Sequence, residues 1–300
     1  QREGRGFDPL CPLQIYKMIL WIASYPKSGN TWLRALLSAY YYTSDGIFSD
    51  DKILNNIGQF PEKKYFTSFK YDPTLPEDTS KLWIEAQNKI NFDKKIKFFK
   101  THNALVKLGV NQFTDKKNSL GCVYIVRDPR NVISSLSNHF EMDFEDSLNF
   151  MIDQKKFTYD FFKKNDYSDF QFISSWENNY KSWKENKIIP VKIVKYEDLV
   201  KETYYVFKDI INFISRLTNN QNRFNKQKAQ NSVKSTSFEK LKKYEENKGF
   251  AESLISKTNK KKIPFFHLGP NNNWKNNFDQ DFQNKLNKTF KENLKELGYK

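Results

Sequence analysis

Residues 18–42 read MILWIASYPKSGNTWLRALLSAYYY, and this stretch constrains the fold more than any other. Met18–Ser24 is a short apolar run, bounded downstream by Pro26 and Gly29. A run of that length is strand-sized, and a strand apolar on both faces belongs in a sheet covered on two sides. From Thr31 to Tyr42, Leu33, Leu36 and Leu37 recur at helical spacing. Strand, glycine-containing turn and helix form the opening unit of an α/β fold. Such a turn presents free backbone N–H groups and the positive end of a helix dipole. Gly29 lets the backbone come close to an anion. Lys27 adds a mobile cation, and Ser28, Asn30 and Thr31 add side-chain donors. The segment is suited to a phosphate. It is not a Walker loop, because Lys27 precedes the glycine and no leading glycine is present, and no Gly-x-Gly-x-x-Gly occurs here. ATPase, GTPase and dinucleotide-fold readings are disfavoured on that ground.

Three more apolar runs, Ile96–Lys100, Gly121–Val126 and Ile188–Val194, are predicted strands. Predicted helices cover Asn131–Phe140, Phe144–Asn165, Phe170–Glu185, Leu199–Leu217 and Asp279–Leu297. The alternation predicts a single α/β domain over residues 18–300, with a central parallel sheet flanked by helices and a P-loop-like strand–loop–helix. Residues 218–262 are dense in Asn, Lys, Gln and Ser, and are expected to be a long surface segment around one helix at Thr236–Phe250. Residues 1–17 show no clear periodicity and lack the apolar core of a secretion signal. They are expected to be an added or disordered leader, with the natural start near Met18.

Composition narrows the function classes. With 27 Phe, 16 Tyr and 6 Trp, a core is available and wholesale disorder is excluded. No apolar run approaches the ~18 residues of a transmembrane segment. Cys11, Cys122 and three His leave little for a metal centre, so no metal is expected, and the expected location is cytoplasmic. The net charge of +15 invites a polyanion-binding reading. The surplus is mostly Lys, scattered and mixed with Asn, which is the pattern of a solvated surface, and no nucleic-acid motif accompanies it.

Tyr25-Pro-Lys-Ser-Gly-Asn-Thr-Trp32 resembles the 5′-phosphosulfate loop of the sulfotransferases that use 3′-phosphoadenosine 5′-phosphosulfate (PAPS). Val123–Ser135 (VYIVRDPRNVISS) is similar to that family's 3′-phosphate motif, and Lys100-Thr-His102 to its catalytic Lys-Thr-His. Tyr196-Glu-Asp-Leu199, Thr236-Ser-Phe238 and Gly269…Trp274-Lys275 resemble three further family segments, all in family order. The resemblance implies PAPS as sulfuryl donor, adenosine 3′,5′-bisphosphate (PAP) as product, and a hydroxyl-bearing small-molecule or carbohydrate acceptor, with no nucleic-acid partner. The family's dimer motif does not follow Lys275, which leaves the oligomeric state open.

Catalysis of such a transfer is mainly positioning and charge stabilisation. The resemblance makes Lys27 the cation on the leaving phosphate, and Gly29, Asn30 and Thr31 its cradle together with Ser28. It places Trp32 on the adenine, and Tyr196, Thr236 and Phe238 around it. His102 ends a predicted strand, where α/β sheets place ligands, and a near-neutral side chain there suits proton removal from an acceptor. Lys100 would assist it. His139 is the second candidate base, with an exposed or helix-capping role favoured for it. Arg127 and Ser135 would hold the 3′-phosphate, and Arg130 is expected to be a solvated charge. One departure stands out: the family's Arg-Lys before the glycine is His267-Leu268 here, before Gly269. His267 is expected to supply a weaker contact, with Lys260–Lys262 as compensating cations. Aromatic-rich segments around residues 45–72, 103–113, 140–151 and 240–265 would line the acceptor pocket, or else simply pack.

Overall fold

β1 (Ile19–Ser24) is buried at every residue. Its side chains alternate between two cores, with Ile19, Trp21 and Ala23 on one face and Leu20 and Ile22 on the other. This period of two is what a strand sandwiched between helical layers requires. The computed structural model describes residues 18–159, 165–219, 224–256 and 258–300. The leader expected at residues 1–17 lies outside them.

Four strands join β1 in one parallel sheet: β2 (Gly58–Gln59), β3 (Lys97–Thr101), β4 (Ser119–Val126) and β5 (Val191–Lys195). The order is β2–β3–β1–β4–β5. The edge strand β2 was not foreseen, since two residues carry no readable period. Behind the Leu20 face lie α1 (Asn30–Tyr42), contributing Leu33, Leu36 and Leu37, and α6 (Thr203–Leu217), contributing Phe207, Ile210, Ile211 and Ile214. The Trp21 face is covered by α2 (Pro129–Phe140) and α4 (Trp176–Lys184), with α9 (Gln280–Thr289) beyond them.

Several expected helices are shorter than predicted. The one expected over 144–165 stops as α3 (Phe144–Ile152), and its last part lies outside the described residues. Phe157–Thr158 then pairs antiparallel with Gln171–Phe172, whose sequence was expected to be helical. Ser175 caps α4 by accepting from the Asn178 N–H, so that helix starts only at Trp176. The helix predicted from Leu199 breaks at Glu202, whose extended φ of −136° separates α5 (Tyr196–Lys201) from α6. The final helix breaks at Phe290 into α9 and α10 (Lys291–Leu297).

At its described residues the expected surface segment at 218–262 is mostly exposed or half-buried, and a few buried residues anchor it. It holds two helices, α7 (Lys226–Ser235) and α8 (Phe238–Lys248). Ala229 and Ser232 of α7 are fully buried. A Cβ on Gly46, whose φ is +82°, would lie 2.3 Å from the Lys228 carbonyl oxygen, so the chain after α1 and α7 meet backbone to backbone. Small residues make this contact, and a polar composition with no large apolar period conceals it.

Candidate active site

β1, its two neighbours and β5 each deliver a candidate residue just past the C-terminal end. Lys27 follows β1 by three residues, His102 follows β3 directly, Arg127 follows β4 and Tyr196 follows β5. The strands are parallel, so these ends share one edge of the sheet, where the strand order sends successive connections to opposite sides and opens a crevice. A cavity of about 610 Å³ fills it. All the sequence-derived site residues line this cavity except Ser28 and Thr236.

The loop has a strained geometry. Lys27 adopts φ +63° and Gly29 φ +102°, both in the left-handed region. A Cβ at Gly29 would lie 2.6 Å from a Tyr196 ring carbon, so only glycine fits there. Gly29 is also the N-cap of α1 and offers no side chain to the first turn. The opening amides of α1 therefore lack a side-chain cap at the cavity wall. Asn30 lines the cavity, and its amide donates back to the Ile22 carbonyl (2.9 Å) and to Ser24 Oγ (3.2 Å). Those bonds tie α1 to β1. Ser28 is fully buried and its hydroxyl has no partner. Thr236 is buried too, with its hydroxyl donating to the Ser232 carbonyl. Its own carbonyl accepts from Trp32 Nε1 at 2.9 Å, so Thr236 acts by fixing the indole. Tyr196 meets the same indole edge-on at 5.7 Å.

Lys27 Nζ lies 4.1 Å from the centroid of Phe265. Burial pushes its pKa down to about 8, against the pull of Glu252 and with help from Arg127. His102 is fixed through Nδ1, which lies 2.8 Å from the Ser24 carbonyl oxygen. A carbonyl can only accept, so Nδ1 carries the proton and Nε2 keeps its lone pair. Burial and then Lys100 lower its pKa to about 4, so the ring is neutral at pH 7. His139 stands in the last turn of α2, the helix end expected for it, but is half-buried and lines the cavity rather than being exposed. Its ring contacts are aromatic, at 4.9 Å to Phe140 and 6.1 Å to Phe265, and its pKa falls to about 3 through burial and Lys27.

Arg127 lies over the Tyr196 ring at 4.3 Å. One terminal nitrogen donates to the Lys27 carbonyl (3.2 Å) and to Ser135 Oγ (3.3 Å), the other to the Gly269 carbonyl (3.2 Å). Its Nε is buried, with no partner among the described residues. Gly269 has φ +54°, and a Cβ there would meet the Phe238 ring at 2.1 Å. Arg130 is not the solvated charge expected. It is 2% exposed, clamps Asp128 through Nε (3.0 Å) and Nη2 (2.7 Å), and stacks 4.1 Å over Trp274. Asp128 also caps α2, and the Trp274 N–H donates to Asn131, so this cluster pins the C-terminal motif beside Arg127. Lys260, Lys261 and Lys262 do not line the cavity.

A model of the sulfotransferase domain matches residues 18–298. The chain belongs to the sulfotransferase family. It is 26% identical to flavonol 3-sulfotransferase of Flaveria bidentis over 93% of this chain and 82% of that protein. Against sulfotransferase 1A1 of Rattus norvegicus it is 26% identical, over 86% of this chain and 78% of the other. Solved structures share the fold. A retinol dehydratase with androsterone and PAP gives a TM-score of 0.54 at 15% identity, over 92% and 80% of the two chains. Mouse sulfotransferase SULT7A1 with PAP gives 0.51 at 15% identity, over 94% and 87%.

Two charged residues of this sulfotransferase's cavity region carry no motif signal. Glu252 lines the cavity, accepting from Thr31 Oγ1 at 2.7 Å, Arg34 Nη1 at 2.5 Å and Lys100 Nζ at 3.1 Å. Burial opposes its ionisation, but Lys100 and Arg34 outweigh burial and hold the carboxyl well below its usual range. Arg34 left a trace in the sequence, as a lone charge among Leu33, Ala35, Leu36 and Leu37. Glu252 left none. The large aromatics expected around an acceptor mostly pack: Phe60 and Phe66 are fully buried in the core, while Phe140, Phe265 and Phe266 do line the cavity. Among the described residues, no group of three or more His, Cys, Asp or Glu is placed to hold a metal, and no helix is long and apolar enough to cross a membrane.

Proposed function

We propose that this enzyme moves a sulfuryl group from PAPS to a hydroxyl of a small-molecule or carbohydrate acceptor, with His102 as general base and Lys27 stabilising the leaving phosphate. The observation that carries this reading is the convergence on one cavity of a histidine with a fixed tautomer and a lysine on the phosphate loop. The residues present fit such a donor. The uncapped start of α1 suits a phosphate, and Arg127, with an unpartnered Nε and Ser135 beside it, suits a second one. Trp32, Tyr196 and Phe238 form an aromatic wall suited to a base.

PAPS, when bound, supplies the activated sulfuryl group on its 5′-phosphate, and PAP remains after transfer. His102 Nε2 accepts the acceptor's hydroxyl proton, while the Ser24 carbonyl holds the ring and steadies the imidazolium that forms. Lys27 Nζ meets the charge developing on the leaving oxygen, and its burial strengthens that interaction. Lys100 brings a second cation beside His102. An apolar acceptor with a hydroxyl, of the kind named for the flavonol enzyme and for the androsterone and retinol complexes, suits the walls formed by Phe140, Phe265 and Leu241.

Thermal unfolding checks the donor. PAP at 100 times its dissociation constant should raise the melting temperature by about 5 °C, since a ligand that binds only the native state adds ~2.7 kcal/mol. ATP with Mg²⁺, or a DNA oligonucleotide, should give little shift. An equal shift with DNA would favour a polyanion-binding protein instead.

The His267-Leu268 departure has a measurable consequence. His267 is exposed, with its pKa lowered by partial burial and then by Lys242, so it brings little positive charge at pH 7. Leu268→Lys would add a cation at the cavity wall, and PAP should then bind about three- to tenfold tighter, the worth of a modest charge-assisted contact. Unchanged PAP affinity in that variant would show that position 268 does not meet the 3′-phosphate.

A further inference from the structure

The resemblance gives Thr31 a place in the cradle of the donor's 5′-phosphate, yet its hydroxyl already has a taker. Thr31 Oγ1 donates to Glu252 Oε2 at 2.7 Å. A hydroxyl has one proton to donate, so while Glu252 accepts it Thr31 cannot donate to another anion. The other carboxylate oxygen draws in Lys100 at 3.1 Å, away from any role on a transferring group. A hydroxyl and two cations thus converge on one internal carboxylate, which is the arrangement an anionic ligand would seek.

We propose that Glu252 is an internal rival of the donor's 5′-phosphate, whose carboxylate must swing off Thr31 and Lys100 before the donor seats. This inference rests on the donor assignment above. The surroundings allow the movement to belong to a single side chain. Arg34 also donates to the Leu54 carbonyl (3.1 Å) and the Ile57 carbonyl (3.2 Å), so it stays hydrogen-bonded when Glu252 leaves. The neighbours of Glu252 are tied elsewhere. The Ala251 N–H donates to Asp51 at 2.8 Å, and the Ser253 hydroxyl to Glu245 at 2.5 Å. The backbone can therefore remain in place. A carboxylate kept beside a phosphate would repel it, which sets the direction of the effect on affinity.

Glu252→Gln keeps the shape and removes the charge. Calorimetric titration with PAP should show binding about tenfold tighter than wild type, the scale of one competing charge-assisted hydrogen bond. Glu252→Ala should shift the same way. Affinity equal to or weaker than wild type in both variants would overturn the rivalry and leave the donor assignment intact. Absence of PAP binding by every form, wild type included, would overturn the donor assignment and this inference with it. A crystal structure of the wild-type enzyme with PAP gives a readout that needs no variant. Thr31 Oγ1 should then donate to the phosphate with Glu252 out of hydrogen-bond range, and a retained Thr31–Glu252 bond would sink the proposal.

Discussion

Lys27→Ala is expected to lower turnover about 10²–10³-fold, the usual loss when one preorganised donor to a developing charge is removed. The effect should fall on kcat and on kcat/KM together, because the charge Lys27 meets is largest in the transition state. Lys27 also makes the pH profile diagnostic. It must be protonated to act, and its pKa is lowered to about 8 by burial, Arg127 adding to the shift while Glu252 opposes it. Activity measured as kcat/KM should therefore fall as pH rises through about 8. Lys27→Arg keeps the charge at all accessible pH values and should remove that limb while retaining part of the rate. Full turnover in Lys27→Ala would overturn the role given to this residue.

For His102→Ala the expected loss is about 10²–10⁴-fold in kcat, the range for a positioned general base. The neutral ring is the active form, and its pKa sits at about 4 through burial and Lys100. The acid limb of kcat/KM should lie near that value, with activity present above it and lost as pH falls through it. Bound donor brings negative charge close to the ring and favours the imidazolium, so the corresponding limb of kcat should move to higher pH. His139→Ala separates the two candidate bases. Its ring packs on Phe140 and Phe265, while the Ser24 carbonyl holds His102 in a defined tautomer. If His139→Ala carried the large loss and His102→Ala kept its turnover, the assignment would reverse.

Much of the fold was legible in the chain because its central strands β1 and β4 are buried on both faces and the flanking β3 and β5 still carry apolar runs. Such strands read as apolar runs, and four of the five in the sheet were found that way. The loop at Tyr25–Trp32 and the residues after each strand were legible because a glycine-containing turn between an apolar run and a helical period marks a strand–loop–helix unit. Helix ends were read less well. Predicted helices over-ran past Ile152 and began too early, at Phe170 rather than Trp176, since aromatic residues such as Phe157 and Phe170 serve helix, strand or core alike. The helix at 226–235 was missed, while the one expected at 236–250 is present as α8, because α7 meets α1 through Ala229, Ser232 and backbone, a contact without a hydrophobic period.

By itself the sequence determined the α/β class, the strand–loop–helix at Tyr25–Trp32 and the placement of Lys27, Lys100 and Arg127 near strand ends, because those rest on local order along the chain. Only the tertiary structure decided which neighbours those cations have. Glu252 lies 221 residues from Thr31 and 152 from Lys100, and no local pattern marks it. Arg130 passed from an expected surface charge to a buried clamp because Asp128, Trp274 and Asn287 close around it in space. The ionisation of His102, Lys27 and Glu252 was set in the same way, by burial and by charges brought from distant segments. Electrostatic environment depends on distance through space, so it is decided when the chain folds.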